Sequence, residues 1–351
     1  MTGKDLPDTL VGLLSNYSPS GDEAGAVAYL VARMQELGYP EAFIDQAGNA
    51  VGVIGEGARQ IVLLGHIDTV PGDIPVRIEG EMIYGRGAVD AKGPLAAFID
   101  AVPALGPVPG WQFVVIGAVV EERDSAGARY IVSQYQPEYA IIGEPSRWDR
   151  VTLGYKGSAW AEVTVRCPMA HSAHGEESAC EGAFKVWEKL QKWVGEYNAG
   201  IERLFDQIMP SLQGFSSGDD GFESWASLQV GARLPLDIPP EVWYQHFSQV
   251  AGDVSVKPVG YSIPAYLAEK NSPLVRAFLS GVREGGGRPG FVVKTGTADM
   301  NIVAPAWGCP VVAYGPGDSS LDHTAQEHIS IAEFARAVEV LKSVLYRLIT
   351  D

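Results

Sequence analysis

Short apolar runs punctuate this chain at intervals that leave room for a helix between them, and that rhythm limits its fold more than any other feature. The runs are 50–54, 60–65, 111–120, 139–143 and 311–315. A strand with water on one side alternates apolar and polar residues, whereas a strand that is apolar throughout is covered on both faces. Between the runs, 93–105 and 125–134 carry helical periodicity. So do residues 5–38, where Ser18-Pro19-Ser20-Gly21-Asp22-Glu23 forms a loop and Gly38 and Pro40 stop the second helix. The expected fold is α/β, a mostly parallel sheet flanked by helices.

Residues 157–166 break the rhythm, because Ser158-Ala159-Trp160-Ala161-Glu162-Val163-Thr164-Val165 alternates in part, as a half-exposed strand does. A helix near 179–197, a strand near 226–234, a helix near 240–250 and a strand near 253–260 follow, with a glycine-, serine- and aspartate-rich loop at 214–221. This is an α+β insertion, after which the first pattern resumes and ends in a helix at 331–349. The expected division is 1–156 and 265–351 for one α/β domain, with 157–264 inserted. At 351 residues the chain is long enough for two such domains.

Charge and cysteine content narrow the classes of function. Lysine and arginine total 26 against 43 aspartates and glutamates, a net charge of −17, which disfavours nucleic acid and anionic membrane as partners. Cys167, Cys180 and Cys309 are odd in number and widely spaced, so they form neither a disulfide framework nor a Cys-x-x-Cys metal motif. The opening MTGKDLPDTLVGLL is too acidic and too weakly apolar for a signal peptide, and no run of ~18 apolar residues is present. The expected location is cytoplasmic.

The residues able to do chemistry follow the ends of the apolar runs. His66 and Asp68 follow 60–65, Glu121 and Glu122 follow 111–120, Glu144 follows 139–143, and His323 lies eight residues beyond Gly315. Asp90 sits in the glycine-flanked loop Gly85-Arg86-Gly87-Ala88-Val89-Asp90-Ala91-Lys92-Gly93. Ligands of open parallel sheets bind outside the carboxyl ends of the strands, so these groups converge although spread through the sequence. Histidines with carboxylates are the ligand set of hydrolytic zinc and similar divalent ions. Singly, each such residue is an ordinary helix cap, packed histidine or solvated carboxylate; the ordered set carries the inference. Gly85-x-Gly87 is half a dinucleotide fingerprint, but Asp90 holds the third glycine position and no strand leads straight into it, so a Rossmann site is rejected.

Gly65-His66-Ile67-Asp68-Thr69-Val70-Pro71 and Tyr84-Gly85-Arg86-Gly87-Ala88-Val89-Asp90-Ala91-Lys92-Gly93 resemble the signature of the dinuclear M20 metallopeptidases, and Glu121-Glu122, Gly143-Glu144-Pro145 and Asp322-His323 match its remaining motifs in order. The resemblance covers nearly the whole chain. It implies two divalent ions, zinc or cobalt, with His66 and Glu144 on one, Glu122 and His323 on the other, and Asp90 bridging. Glu121 would then be the general base, and Asp68 would orient His66. It makes the insertion a lid through which the chain forms a homodimer. In Ala170-His171-Ser172-Ala173, His171 (in preference to His174) would polarise the scissile carbonyl of the partner's site, and Arg233 in Gly231-Ala232-Arg233-Leu234-Pro235 would meet a substrate carboxylate. One departure is plain: 221–227 lacks the Asn-Val-Ile-Pro stretch that many relatives carry upstream of that arginine.

Within the family, Lys294-Thr295-Gly296-Thr297-Ala298-Asp299-Met300-Asn301 and the stretch from Tyr314 to Thr324 resemble the hydrolases that free lysine or ornithine from an amino-group carrier protein in lysine and arginine biosynthesis. Those enzymes cut the amide between the amino acid and the side-chain carboxyl of the carrier's terminal glutamate. Thr297 and Asp299 would contact the amino acid; otherwise they form a glycine turn with a capping aspartate. Two other readings compete: a deacylase of small N-acyl amino acids or a peptidase of the same family, and a metal-binding dimerisation module without catalysis. Glu121 argues against the last, since a dead copy has no use for the base. An acidic carrier would need a basic landing place. Lys185, Lys189 and Lys192 share one face of the lid helix, and Arg147, Arg150 and Lys156 could extend it, although with Glu181 and Glu188 nearby the same face reads as an ordinary solvated surface.

Overall fold

The computed structural model describes residues 6–169 and 175–350. The chain divides into two compact units, one made of Met1–Gly154, Ala268–Val293 and Ala298–Asp351, the other of Tyr155–Leu267 and Lys294–Thr297. The return of 294–297 to the second unit has no signal in the sequence.

In the first unit the apolar runs become the strands of one sheet. Its order is Glu41–Ile44, Ala50–Ile54, Trp111–Ala118, Arg59–His66, Tyr139–Gly143, Val311–Ala313 and Arg150–Tyr155. The strands Trp111–Ala118, Arg59–His66, Tyr139–Gly143 and Val311–Ala313 run parallel to their neighbours in that series, and antiparallel pairs flank them. From Ile61 to Leu64 and from Phe113 to Ile116 every side chain is inaccessible to solvent, as continuous apolar runs require. Helices Asp8–Ser15, Ala24–Glu36, Lys92–Ala101, Pro273–Glu284 and Ile331–Thr350 contribute Leu10, Leu30, Phe98, Phe278 and Leu341 to the same core.

A second, smaller sheet escaped the sequence reading because its strands are three residues each. Strand Met82–Tyr84 pairs with Arg77–Glu79 on one side and His328–Ser330 on the other. It brings the loop that follows Tyr84 beside the loop that precedes His328, two segments about 240 positions apart in sequence.

In the second unit, four antiparallel strands run in the order Met209–Asp219, Glu223–Leu234, Gly157–Pro168 and Ser255–Pro258. Helices Ala179–Asn198 and Pro240–Ala251 cover one face through Val186, Leu190, Trp243 and Phe247. The first of these helices starts with a capping box between Ser178 and Glu181, so Glu181 serves the helix terminus. Residues 214–221 correct the expected loop, since 214–219 belong to a strand. Gly218 lies opposite Trp225 and Gly214 opposite Gln229, and a Cβ at either glycine would stand 2.9 and 3.0 Å from those side chains. The glycines make room for large cross-strand neighbours rather than for a turn.

Lys156 also departs from expectation. It is fully buried, and its Nζ donates to the carbonyls of Leu204 (3.1 Å), Phe205 (2.9 Å) and Gln207, so it is no part of a surface patch. Replacement by methionine leaves three carbonyls, that of Phe205 buried, without this donor and is expected to cost about 1–3 kcal/mol, measured by denaturant unfolding. Burial pushes the Lys156 ammonium down to about 8. Above that pH the unfolded chain holds a proton the folded chain has released, so this residue's contribution to stability rises between about pH 8 and 10.5, and Lys156→Met loses that rise.

Candidate metal centre

Three neighbouring parallel strands place most of the site. His66 is the last residue of its strand and pairs in register with Ala118, while Gly65 pairs with Gly143. The chain therefore delivers His66, Glu121-Glu122 and Glu144 at the same edge of the sheet. Asp90 and His323 come from the two loops joined by the small sheet. At this edge the backbone takes unusual forms. Val120 and His323 have φ of +63° and +60°, the left-handed region that non-glycine residues avoid, and the Asp90–Ala91 peptide is cis. Gly87, at φ +90°, is required as glycine, because a Cβ would stand 2.9 Å from the Lys92 side chain and 3.0 Å from Thr69.

Two groups of potential ligands share one carboxylate. His66, Asp90 and Glu144 form one, and Asp90, Glu122 and His323 the other, each with its ligand atoms within 4.8 Å of one another. Asp90 Oδ1 stands 3.1 Å from His66 Nε2, and Oδ2 stands 3.0 Å from His323 Nε2, which is also 3.0 Å from Glu122 Oε1. On its other side His66 Nδ1 lies 3.0 Å from the Asp68 carbonyl oxygen and 3.5 Å from the Asp68 carboxylate, which leaves Nε2 facing the shared carboxylate. The Asp68 side chain, wholly buried, accepts from the backbone N–H of Glu121 (3.0 Å) and Glu122 (3.1 Å) and from the Ser20 hydroxyl (2.6 Å). It thus ties the segment bearing Glu121 and Glu122 to the end of the His66 strand.

The electrostatics fit a site built for cations. Burial opposes the imidazolium of His66, but the charge of Glu121 and hydrogen bonds to Asp68 and Asp90 hold its pKa well above the usual range. Hydrogen bonds to Asp90 and Glu122 raise His323 to about 10. Burial raises Glu121 and Glu144 well above ordinary carboxylates, reinforced by the charges of Asp299 and Glu144 on Glu121 and of Asp90 and Asp299 on Glu144. Burial likewise raises Asp299 to about 7, and its Oδ1 is buried without a hydrogen-bond partner among the described residues. So many carboxyl groups in one place are protonated or paired with imidazolium unless divalent cations supply the charge, and oxygen with imidazole nitrogen is the donor set of zinc and cobalt.

The other sequence-predicted residues lie as follows. Asp299 directly precedes helix Met300–Trp307 and makes no capping bond, so it is not the turn cap it could have been. In the second unit Arg233 donates to the Thr297 hydroxyl (2.7 Å), which donates in turn to the Lys156 carbonyl (2.9 Å). His171 and His174 lie outside the described residues. Along helix Ala179–Asn198, Lys185 is paired with Glu177, while Lys189 and Lys192 are exposed beside Glu188 and Glu196. Arg147 is paired with Asp318 and Arg150 with Asp149. Sequence reasoning overlooked Ser20, Arg86 and Glu327. The first bonds Asp68; the other two form a buried ion pair under Asp90, and backbone hydrogen bonds leave no residue pattern to read.

A scan of protein families matches residues 62–347 to peptidase family M20/M25/M40, so the chain belongs to that family. Among solved structures, the M20 family metallo-carboxypeptidase Sso-CP2 of Sulfolobus solfataricus superposes with a TM-score of 0.77 at 19% identity, covering 99% of this chain and 100% of that one. A dinuclear metal-binding M20 peptidase of Bacillus subtilis gives 0.72 at 13% identity, covering 97% and 96%. Both share the fold. The curated relatives are nearer. The LysW-lysine hydrolase of Deinococcus radiodurans is 44% identical over 95% of this chain and 94% of its own length. The LysW-lysine/LysW-ornithine hydrolase of Saccharolobus solfataricus is 30% identical over 93% and 91%. No helix among the described residues is long and apolar enough to cross a membrane.

Proposed function

We propose that this chain is a two-metal amide hydrolase that releases lysine, ornithine or both from the terminal glutamate side chain of an amino-group carrier protein. The observation that carries the chemistry is the single carboxylate, Asp90, shared by two groups of ligands. The names of the relatives supply the substrate. His66 and Glu144 would hold one ion, Glu122 and His323 the other, and Asp90 both, with zinc or cobalt the fitting metals. When bound, such ions lower the pKa of a coordinated water from about 15.7 toward about 7 and polarise the carbonyl.

The chain's own residues do the rest. Glu121 belongs to neither ligand group, and Asp68 fixes its backbone. Glu121 takes a proton from the attacking water and delivers it to the leaving α-amine. The C–N bond breaks, oxygen stays on the glutamate carboxyl, and the free amino acid departs. Burial lets Glu121 keep the proton between the two transfers. Arg233, steadied by Thr297, is assigned to the carboxylate of the released amino acid, and Asp299 and Thr297 to its recognition.

A homodimer through the lid fits the same reading. The strand Met209–Asp219 is one edge of its sheet, and its exposed Phe215 stacks on the exposed Phe184 of helix Ala179–Asn198 with ring centroids 5.4 Å apart.

The test is a comparison of kcat/KM for the aminoacylated carrier with that for N-acetyl-lysine and N-acetylornithine, in zinc and in cobalt. The carrier is expected to lead by about 100-fold or more, since docking adds roughly 3 kcal/mol to transition-state binding. Preference for either acetylated amino acid would make the chain a small-molecule deacylase instead.

A further inference from the structure

Beneath the proposed metal ligands lies a buried ion pair that touches none of them by side chain. Arg86 and Glu327 are 7% and 1% exposed and meet at 2.9 Å. Glu327 Oε1 accepts from the backbone N–H of Val89 (2.9 Å) and of Asp90 (3.0 Å), while Oε2 accepts from Arg86 Nη1. The Arg86 guanidinium also donates from Nη1 to the Thr324 carbonyl (3.1 Å) and from Nε to the Gly72 carbonyl (2.8 Å). Three segments meet on this pair: the turn at Gly72, the loop holding Asp90, and the loop holding His323, whose next residue is Thr324.

A buried ion pair is a poor way to gain stability, since desolvation of the two charges offsets most of their attraction. It is a good way to fix geometry when the pair also bonds the backbone around it. Here Glu327 holds the backbone on which Asp90 rides, and Arg86 holds the carbonyl adjoining His323. Asp90 and His323 stand 3.0 Å apart, and His323 keeps a left-handed backbone that needs outside support. We infer that Arg86 and Glu327 are positioning residues that set the separation of Asp90 from His323, and so govern affinity for the ion held by Asp90, Glu122 and His323 more than for the ion held by His66, Asp90 and Glu144. The inference rests on the two-metal reading above.

Arg86→Lys keeps the charge but cannot make its three bonds at once, because an ammonium lacks the guanidinium's planar fork. Glu327→Gln can keep its one oxygen for the two N–H groups only by turning an NH2 donor toward the Arg86 donor. Zinc titration of the metal-free proteins by calorimetry, with metal content after dialysis and thermal unfolding of the metal-free state, tests the idea. The wild type should take up two ions. Both variants should bind the first with little change and the second about 10–100-fold more weakly, the usual cost of losing a group that orients a ligand. Cobalt absorption spectra should then show one site filled where the wild type fills two. Two ions bound with wild-type affinities overturn the inference and leave the metal centre standing. Failure of both variants to fold also overturns it, because the pair would then serve the fold alone. A wild type that takes up fewer than two ions sinks the two-metal reading itself.

Discussion

Glu121→Gln should retain two metal ions per chain and lose about 10²-fold or more in kcat, the range that general acid–base groups contribute. The glutamine has nearly the same shape, and the backbone N–H of residue 121 still reaches Asp68. What disappears is the ability to accept a proton and pass it on. Glu122→Gln, one residue along, should do the reverse: it alters a group 3.0 Å from His323 and should cost an ion. Stopped-flow turnover with metal analysis of the same samples separates the two. Near-normal kcat in Glu121→Gln would move the base elsewhere.

Asp90→Asn should be the most damaging single change at the site. Each carboxylate oxygen faces an imidazole nitrogen, His66 on one side at 3.1 Å and His323 on the other at 3.0 Å. An amide offers one oxygen and one N–H donor, so it can serve one side at most, and it carries no charge to draw two cations together. Affinity for both ions should fall by at least about 100-fold, beyond what the loss of an orienting neighbour costs, and turnover with it. Glu144→Gln supplies the contrast, since Glu144 belongs to one group only and its loss should leave the other ion in place. Metal content per chain is the measurement; two ions retained in Asp90→Asn would refute the shared role.

The parts of this arrangement that were legible in the sequence are those written in side-chain character. Apolar runs marked the buried strands, and the polar residue after each run marked the edge where they end: His66, Glu121-Glu122 and Glu144 sit there because their strands are parallel neighbours in register. What was not legible depends on backbone and on distance in sequence. The three-residue strands that join the Asp90 and His323 loops are too short to show a period. Glu327 acts on N–H groups that every residue but proline has, and Lys156 caps carbonyls that every residue has, so neither stood out; Lys156 read as a surface charge because lysine usually is one. The glycines at 214 and 218 signalled a turn, yet they serve the bulk of Gln229 and Trp225 across a strand pair.

The intact mass of the carrier tests whether this chain cuts the amide on the carrier's terminal glutamate side chain. Aminoacylated carrier protein is incubated with the zinc-loaded enzyme in ¹⁸O-labelled water and both products are weighed. The carrier is expected to lose one lysine or ornithine residue, keep its terminal glutamate, and gain a single ¹⁸O on that glutamate's carboxyl, while the freed amino acid carries no label. A carrier that loses its glutamate as well, or one left intact while acetylated amino acids are consumed, would contradict it.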